Sequence, residues 1–588
     1  MKLAKESLLK CILYFLPVLF IWQGLDFTDM GYSLSNALFF DQPGVILGQP
    51  LAYFLTNFIG WIWLKISEPF GVVGARFGWC VIMWGIFYLS NKILSQIMPE
   101  CRSVIFLALT FLLVVWTPWI SYNDLSALFA LASLFLMLQC ESQERISRLC
   151  FVSIAGFIIG LSVFVRIPNI LMLSFAFIPV VADVVCYKSL PRKTSWIYSA
   201  IFICSMIVAI AIVLTLMSVF GYLDYYFNSI AYIKNLASDP NSHHGGSKLI
   251  TLFTNNHIDV FKAALILGGK IACASFTVVL MPWKLVRYAC VVLITGYFYK
   301  QYNYYSYIYV LAGISYIAMF IKLASETGKC NRKVVLTYLS ALGLFMCLPL
   351  GSNNGIKNTV CSSWLMMPFT LNFIYMLCLS NVHEYTKKYS PQSINGILRR
   401  FDYATFAAHT RNIFLALFIA VSVSHAWMYT YRDSAERLDM KYPIDHEKLR
   451  FIYTTSERAK TVQELLDAMK CLTSQYEYML VYDIGCTLHY LLEIKPYMFE
   501  TWEFSYEPNN FKKYLSKAEH EHSLPLIVKT KETFQSRDWP RKMNRYWNNS
   551  ERYKQNRAIA DNFRDRYFYV KTWENDTFEV WQPRDMRR

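Results

Sequence analysis

Apolar residues recur along this chain in runs of about 17 to 25 positions, the length needed to cross a hydrocarbon layer. Short polar or charged connections separate them. Taken in order, the runs predict about thirteen membrane-spanning helices, near 8–24, 72–95, 103–119, 124–140, 149–165, 168–186, 197–219, 260–281, 285–299, 303–322, 334–350, 362–380 and 410–428. From Tyr431 the pattern changes, and charges fall every few residues. There LRFIYTT (449–455) reads as a buried strand and SERAKTVQELLDAMKCL (456–472) as an amphipathic helix with Ser456 as its N-cap. EYMLVYDIG (477–485) reads as a second strand. This order predicts a small α/β layer domain, its sheet completed by the Trp- and Tyr-rich remainder. The expected fold is a polytopic α-helical membrane protein over residues 1–430 with a carboxy-terminal α/β domain over 431–588.

The sides of the membrane follow from Lys and Arg, which collect in cytoplasmic connections. Basic connections alternate with poor ones. Lys2, Lys5 and Lys10 open the chain, and then come Lys92 with Arg102, Arg145 with Arg148, and Lys188 with Arg192 and Lys193. Lys284 with Arg287, Lys329 with Arg332 and Lys333, and the stretch from Lys387 to Arg411 continue the series. External loops are then expected at 25–71, 220–259 and 351–361, with a short turn at Trp119 to Asp124. The amino terminus is cytoplasmic on this reading, the first span is an uncleaved helix, and the tail domain is outside. The apolar PLAYFLTNFIGWIWLKI (50–66) breaks the alternation if it crosses. It is expected to lie in the outer interface, with Trp61 and Trp63 at headgroup level.

Composition narrows the class. Of 588 residues only 17% are charged and 55% are hydrophobic, against about a quarter charged in soluble domains. The formal charge of +16 is the cytoplasmic Lys and Arg, and no zinc-finger, RNA-recognition or phosphate-loop signature accompanies it, which sets nucleic acid aside. Most cysteines lie in apolar runs and none form a CxxC pair, so neither a zinc site nor a redox motif is indicated. Cys471 and Cys486, in the tail, are open to either one disulfide or two free thiols.

Candidate chemistry concentrates at the outer boundary. LDFTDMGYSLSNALFFDQPGVILGQP (25–50) carries Asp26, Asp29 and Asp41 with no Lys or Arg between Lys10 and Lys65. Carboxylates at a membrane boundary need water or a functional partner, and such a site favours a general base. The plain alternative is a solvated loop. Asp124, in WTPWISYNDLSALF, is a second external acid, with helix capping as its alternative. Arg166, Lys248 and Lys357 are external cations able to hold a phosphate, or to snorkel to headgroups. His243 and His244 lack a third ligand placed by sequence, so no metal site is assigned.

The acidic loop with DMGY, then Gln49-Pro50-Leu51-Ala52-Tyr53 opening an interfacial helix, then a span beginning at Arg76, resembles the polyprenyl-phosphate-dependent glycosyltransferases of the GT-C fold. GFIIGLSVFVRIPNIL and the GSNNG loop add to the resemblance, and the outline matches the aminoarabinose transferase and the oligosaccharyltransferase catalytic subunit. The resemblance implies Asp29 as base or metal partner, Asp26 as second choice and Asp124 as the acid of the second loop. It implies donor or acceptor contacts at Tyr32, Gln49, His243, His244, Asn353 and Asn354, and lipid phosphate at Arg166, Lys248 or Lys357. Where members of the family carry an adjacent acidic pair, this chain has Asp29-Met30, which leaves a divalent cation such as Mg or Mn an open requirement. No WWDYG-type motif appears, which argues against Asn-linked transfer.

The expected function is inverting transfer of a sugar from a polyprenyl-phosphate donor to a hydroxyl of a glycan, lipid or protein, in a bacterial inner membrane. The rival is a transporter or lipid-carrier flippase, for which mid-membrane charges and paired repeats are the usual signs. Neither sign is present.

Overall fold

The structure, a computed structural model, describes residues 2–114, 117–142, 144–187, 192–238, 246–281, 283–302, 304–327, 331–349, 362–376, 403–434, 436–483, 485–532, 539–541 and 550–584. Helix α1 (Lys2–Phe15) runs into a 3-10 turn ending at Phe20, and α2 (Asp29–Leu38) lies within the acidic loop. Then follow α3 (Phe54–Ser67), α4 (Gly71–Leu94), α5 (Glu100–Val114) and α6 (Tyr122–Gln139). Helical residues occupy each of the expected spans. Among the described residues eight helical stretches are long and apolar enough to cross a membrane, so the chain is an integral, polytopic membrane protein. The most apolar, Lys193–Val219, buries only 22% of its window inside the protein. It nevertheless packs tightly on the helix Arg145–Val165, because Gly156 and Gly160 let the backbones approach. A Cβ on Gly156 would stand 2.2 Å from the Phe202 carbonyl oxygen, which is the usual way membrane helices gain contact.

Connections assigned by charge to one side meet one another. Lys10 pairs with Glu100 at 2.8 Å. Asp183, fully buried, accepts from Arg192 Nη2 at 3.0 Å, Arg332 Nε at 2.8 Å and Ser195 Oγ at 2.6 Å. Arg332 also pairs with Glu141. Three basic connections are thereby held in one cluster.

The segment expected in the outer interface forms a 3-10 turn (Gln49–Tyr53) followed by α3, separated from α4 by a sharp turn at Gly71. Gly71 has φ +52°, and a Cβ there would lie 2.3 Å from the Lys448 carbonyl, so only glycine fits. Trp63 does not reach away from the protein. Its indole donates to Gly74 O at 2.9 Å and rests on Gly78, folding α3 back onto α4.

In the tail, a five-stranded sheet has the order β4-β3-β5-β7-β6, from β3 (Tyr478–Val481), β4 (Lys495–Pro496), β5 (Leu526–Thr530), β6 (Tyr569–Glu574) and β7 (Phe578–Pro583). Strand β3 runs parallel to β4 and β5, and β7 is antiparallel to β5 and β6. The expected strand over 449–455 is not one. Leu449 to Ile452 make a turn closed by Ile452 N–H donating to Leu449 O at 2.9 Å. Only Tyr453–Thr454 (β2) are extended, paired with Tyr442–Pro443 (β1). The amphipathic helix spans Ser456–Met469 with Thr455, not Ser456, at the cap position. Cys471 and Cys486 are both free, Cys486 buried.

Candidate active site

Helix α2 owes its position to the residues just before and after its start. Asp26 is buried, and its carboxylate accepts from Thr28 N at 2.9 Å, Thr28 Oγ1 at 2.6 Å and Met30 N at 2.8 Å. It thus satisfies otherwise unpaired donors at the start of α2. Burial pushes its carboxyl upward, against the pull of Arg432. Gly31 of the DMGY motif is a close-approach position. A Cβ there would stand 2.1 Å from the Thr487 amide nitrogen, and Thr487 donates from Oγ1 to Asp26 O at 2.8 Å and from its amide to Phe27 O at 3.2 Å. On the membrane side, Arg76 donates to the carbonyls of Ile21, Gln23 and Gly24 at 2.8, 3.2 and 2.6 Å. The loop is clamped between the first spans and the tail domain.

Asp29, the first residue of α2, is treated differently. Its side chain keeps 31% exposure and pairs with Arg432 Nη2 at 2.9 Å, while the Tyr431 phenol donates to its Oδ2. Burial opposes the charge on Arg432, but Asp29, Tyr431 and Asp26 outweigh it and hold the guanidinium firmly protonated. Arg432 also donates to Thr28 Oγ1, which in turn donates to Asp26. Tyr431 packs edge-on against Trp119 at 5.4 Å. The first loop, the turn before α6 and the residues after the last span therefore converge at one place.

Asp124 is buried and turned inward. Ser121 caps α6 by accepting from Asp124 N at 3.1 Å, and its hydroxyl donates to Asp124 Oδ2 at 2.8 Å. The Trp79 indole is a further partner. Trp119 and Ile120, just before this cap, line a small open cleft with Ser33, Leu34 and Ala37 of α2 and Thr56, Asn57 and Trp63 of α3. Ser33 is one turn from Asp29 on the same helix face. The cleft is thus lined by residues of both acidic segments, while Asp29 and Asp124 themselves are not part of its lining.

Tyr32 faces Trp502 at 6.1 Å, and Tyr53 stacks on Tyr122 at 4.4 Å. Gln49 donates from Nε2 to the Tyr53 hydroxyl at 3.4 Å. Close to Tyr32 lies Glu500, whose Oε1 has no hydrogen-bond partner among the described residues. Burial pushes its carboxyl well above the usual range. Arg166 is buried and donates from Nη1 to Leu348 O at 3.0 Å, at the end of the helix Arg332–Cys347. Lys248 starts a helix, Gly246–Val279, but its side chain lies outside the described residues, as do Lys357, His243, His244, Asn353 and Asn354 entirely.

Among the described residues no three His, Cys, Asp or Glu side chains converge as a metal would need. The groups around Asp29 do not suit a divalent cation. Asp26 is taken up by backbone and hydroxyl donors, and the Arg432 guanidinium already supplies the positive charge.

Sequence reasoning missed Tyr431, Arg432, Asp433, Arg458 and Glu500. Arg458, fully buried in the amphipathic helix, pairs with Asp433 at 3.1 Å and donates to Leu25 O and Arg432 O at 2.9 and 2.8 Å. Asp433 Oδ2 accepts from Leu25 N at 2.6 Å. The usable signal was position: Tyr-Arg-Asp follows the last span directly, at the same boundary as the acidic loop.

No protein-family model matches this sequence, and no curated protein matches it. Among solved structures, ArnT from Cupriavidus metallidurans in the apo state aligns at 9% identity over 98% of this chain and 97% of its own, with a TM-score of 0.48. An Archaeoglobus fulgidus oligosaccharyltransferase, tethered with an acceptor peptide containing the NVT sequon, aligns at 12% identity over 99% of this chain and 74% of its own, with a TM-score of 0.45. The chain is similar to each of them over nearly its whole length.

Proposed function

We propose that this protein transfers a sugar from a polyprenyl-phosphate donor to an acceptor hydroxyl at the external membrane face, with inversion. The observation that carries the reading is the state of Asp29. It stays partly open to solvent where Asp26 is buried, and it is held by Tyr431 and Arg432 of the post-membrane segment, with Tyr431 packed on Trp119 of the second loop.

In the proposed step the acceptor hydroxyl gives its proton to Asp29 as its oxygen attacks the anomeric carbon. The bond from that carbon to the lipid phosphate breaks, and the phosphate leaves with the electron pair. Arg432 is suited to both ends of this exchange. In the resting site it neutralises Asp29. An arriving phosphate can be held by the same guanidinium in a bidentate pair, and in the proposed step it draws Arg432 from Asp29, which is freed to accept a proton. A fixed positive charge on the departing phosphate is the main electrostatic contribution such a site supplies. Arg166, Lys248 and Lys357 are the further proposed phosphate contacts. Tyr32, Gln49 and the stacked Tyr53 and Tyr122 form the proposed sugar-facing wall. Asp26 and Asp124 position α2 and α6.

The test is sugar transfer in membranes supplied with labelled polyprenyl-linked donors, comparing wild type with Asp29→Asn. Loss of transfer with donor binding retained supports the reading, whereas normal turnover rejects the base assignment. Movement of an unmodified solute across the membrane, with no glycosylated product, would replace the reading with a transporter.

A further inference from the structure

The tail domain contains a surface that its own core does not explain. Residues 436–451 lead from the last span into the sheet domain, and they display three large apolar side chains: Leu438 at 73% exposure, Phe451 at 45% and Tyr442 at 41%. Phe451 is placed there against backbone preference. It holds φ +66° at the third position of the turn Leu449–Ile452, where glycine is the usual residue, and its side chain is carried outward. Each exposed ring has a cation beside it, Lys441 at 5.8 Å from Tyr442 and Arg450 at 4.9 Å from Phe451.

The location decides what this surface meets. Arg437, next to Leu438, donates from Nε to Ala426 O at 2.9 Å and from Nη2 to Tyr429 O at 2.8 Å, at the end of the helix Tyr403–Met428. Its guanidinium also lies 4.9 Å from the Phe20 ring, at the end of the first span. Gln23 Nε2 donates to Arg437 O and Met440 O at 2.9 and 3.2 Å. Tyr453 N donates to Trp22 O at 2.9 Å, and Phe451 packs edge-on against Trp22 at 6.4 Å. On the other flank, Lys448 presses on Gly71, beside the exposed Ile66 and Phe70 that close α3. The surface is therefore continuous with the ends of two membrane-crossing segments and with the folded-back helix α3.

We infer that residues 436–451 are a membrane-seating surface: Leu438, Tyr442 and Phe451 enter the headgroup layer of the outer leaflet, with Lys441 and Arg450 reaching the phosphates. Aromatic rings and apolar side chains flanked by Lys or Arg are suited to that layer. Exposed acids on the same stretch, Glu436, Asp445 and Glu447, balance the cations, so the occupant is a zwitterionic headgroup layer and not a specific anionic lipid. Seating this stretch also fixes Tyr431 and Arg432, which lie between it and the last span. The inference does not depend on the reaction proposed above.

The test uses the full chain in nanodiscs of phosphatidylcholine containing a small fraction of phosphatidylcholine with a diazirine next to the glycerol. After irradiation, labelled peptides are mapped by mass spectrometry. The expected result is labelling across 436–451 several-fold above the peptide containing Phe568, which is 71% exposed on the far edge of the sheet order. In the double variant Leu438→Asp, Phe451→Asp that labelling should fall several-fold, while labelling at Ile66 is retained. Absence of label over 436–451 with Trp22 labelled would overturn the inference. So would equal labelling at Phe568, or unchanged labelling in the double variant.

Discussion

The helical part gathers an acid–arginine cluster on each of its two sides, and the two are built to opposite ends. On the side of the basic connections, Asp183 is fully buried, and Arg192, Arg332 and Ser195 together occupy both its oxygens. It has no capacity left for a ligand. On the other side, Asp29 has one guanidinium and one phenol, and its side chain remains 31% exposed. The closed cluster joins three connections and holds the bundle's end. The open one joins the acidic loop to the residues after the last span. An ion pair is thus evidence for function only where a lone pair and a path to it remain, and Asp29 meets both conditions where Asp183 meets neither.

The sharpest way to break this contrast is to neutralise each acid in turn. Asp29→Asn should lower the rate of sugar transfer by about 10²- to 10⁴-fold, the range for removal of a general base, with little change in thermal stability. Asp183→Asn should leave the transfer rate of the folded fraction near wild type. Equal rate losses in the two variants would erase the distinction.

Removing the cations comes next. Arg332→Met strips one of two arginine partners from buried Asp183 and should cost about 2–3 kcal/mol of stability, less than the range for a buried charge left wholly uncompensated because Arg192 remains. Arg432→Met, at a partly open pair, should cost about 1 kcal/mol or less. Thermal unfolding of the detergent-solubilised chain measures both. A cost for Arg432 matching that for Arg332 would mean the outer cluster is a structural weld as well.

The side that holds Asp29 also carries an acid sensitivity in its supporting helix, Thr487–Leu492, which packs on α2. His489 is fully buried, its Nδ1 is 2.9 Å from Ile494 O, and burial pushes it down to about 4. The unfolded chain titrates near 6.5, so between these values the unfolded state binds more protons than the folded one. Stability is therefore complete above about pH 6.5 and falls by about 3 kcal/mol as pH drops to 4, at about 1.4 kcal/mol per unit. His489→Asn, which keeps a donor near the same position, should remove that part of the slope. An unchanged slope would place the sensitivity elsewhere.

Much of this was legible in the chain, and what was not has a common cause. The helices follow from apolar run length, and the grouping of connections follows from Lys and Arg, because both signals are local. The break at 449–455 was hidden because LRFIYTT has strand composition while Phe451 adopts a conformation that composition does not report. The Ser456 cap was misplaced by one residue for the same reason. The partners of Asp29 and of the loop were invisible because they lie far away in sequence: Tyr431 is separated from Asp29 by 402 positions. Arg458 looked like one more charge on an amphipathic helix, yet it is the residue that ties Leu25, Asp433 and Trp539 together. Asp26 and Asp29 read alike in sequence. Only the backbone donors of Thr28 and Met30 separate the capping acid from the open one.

The smallest expected effect asks whether Asp29 is held in place or merely near. Tyr431→Phe keeps the ring that packs on Trp119 and removes only the hydroxyl that donates to Asp29. A hydrogen bond to a charged group is worth about 1.5–3 kcal/mol at most sites. Arg432 remains to hold the carboxylate, so the lower end applies, and transfer should slow by about tenfold. Because the phenol touches the base and neither substrate in the proposed step, the loss should fall on kcat with KM unchanged. Thermal stability should stay within about 1 kcal/mol of wild type, since Asp29 is partly solvated and water replaces the lost donor. A wild-type rate in Tyr431→Phe would leave Arg432 alone responsible for aiming Asp29. A loss as large as that of Asp29→Asn would instead make the phenol part of the proton path, and the open cluster a catalytic pair rather than one acid with supports.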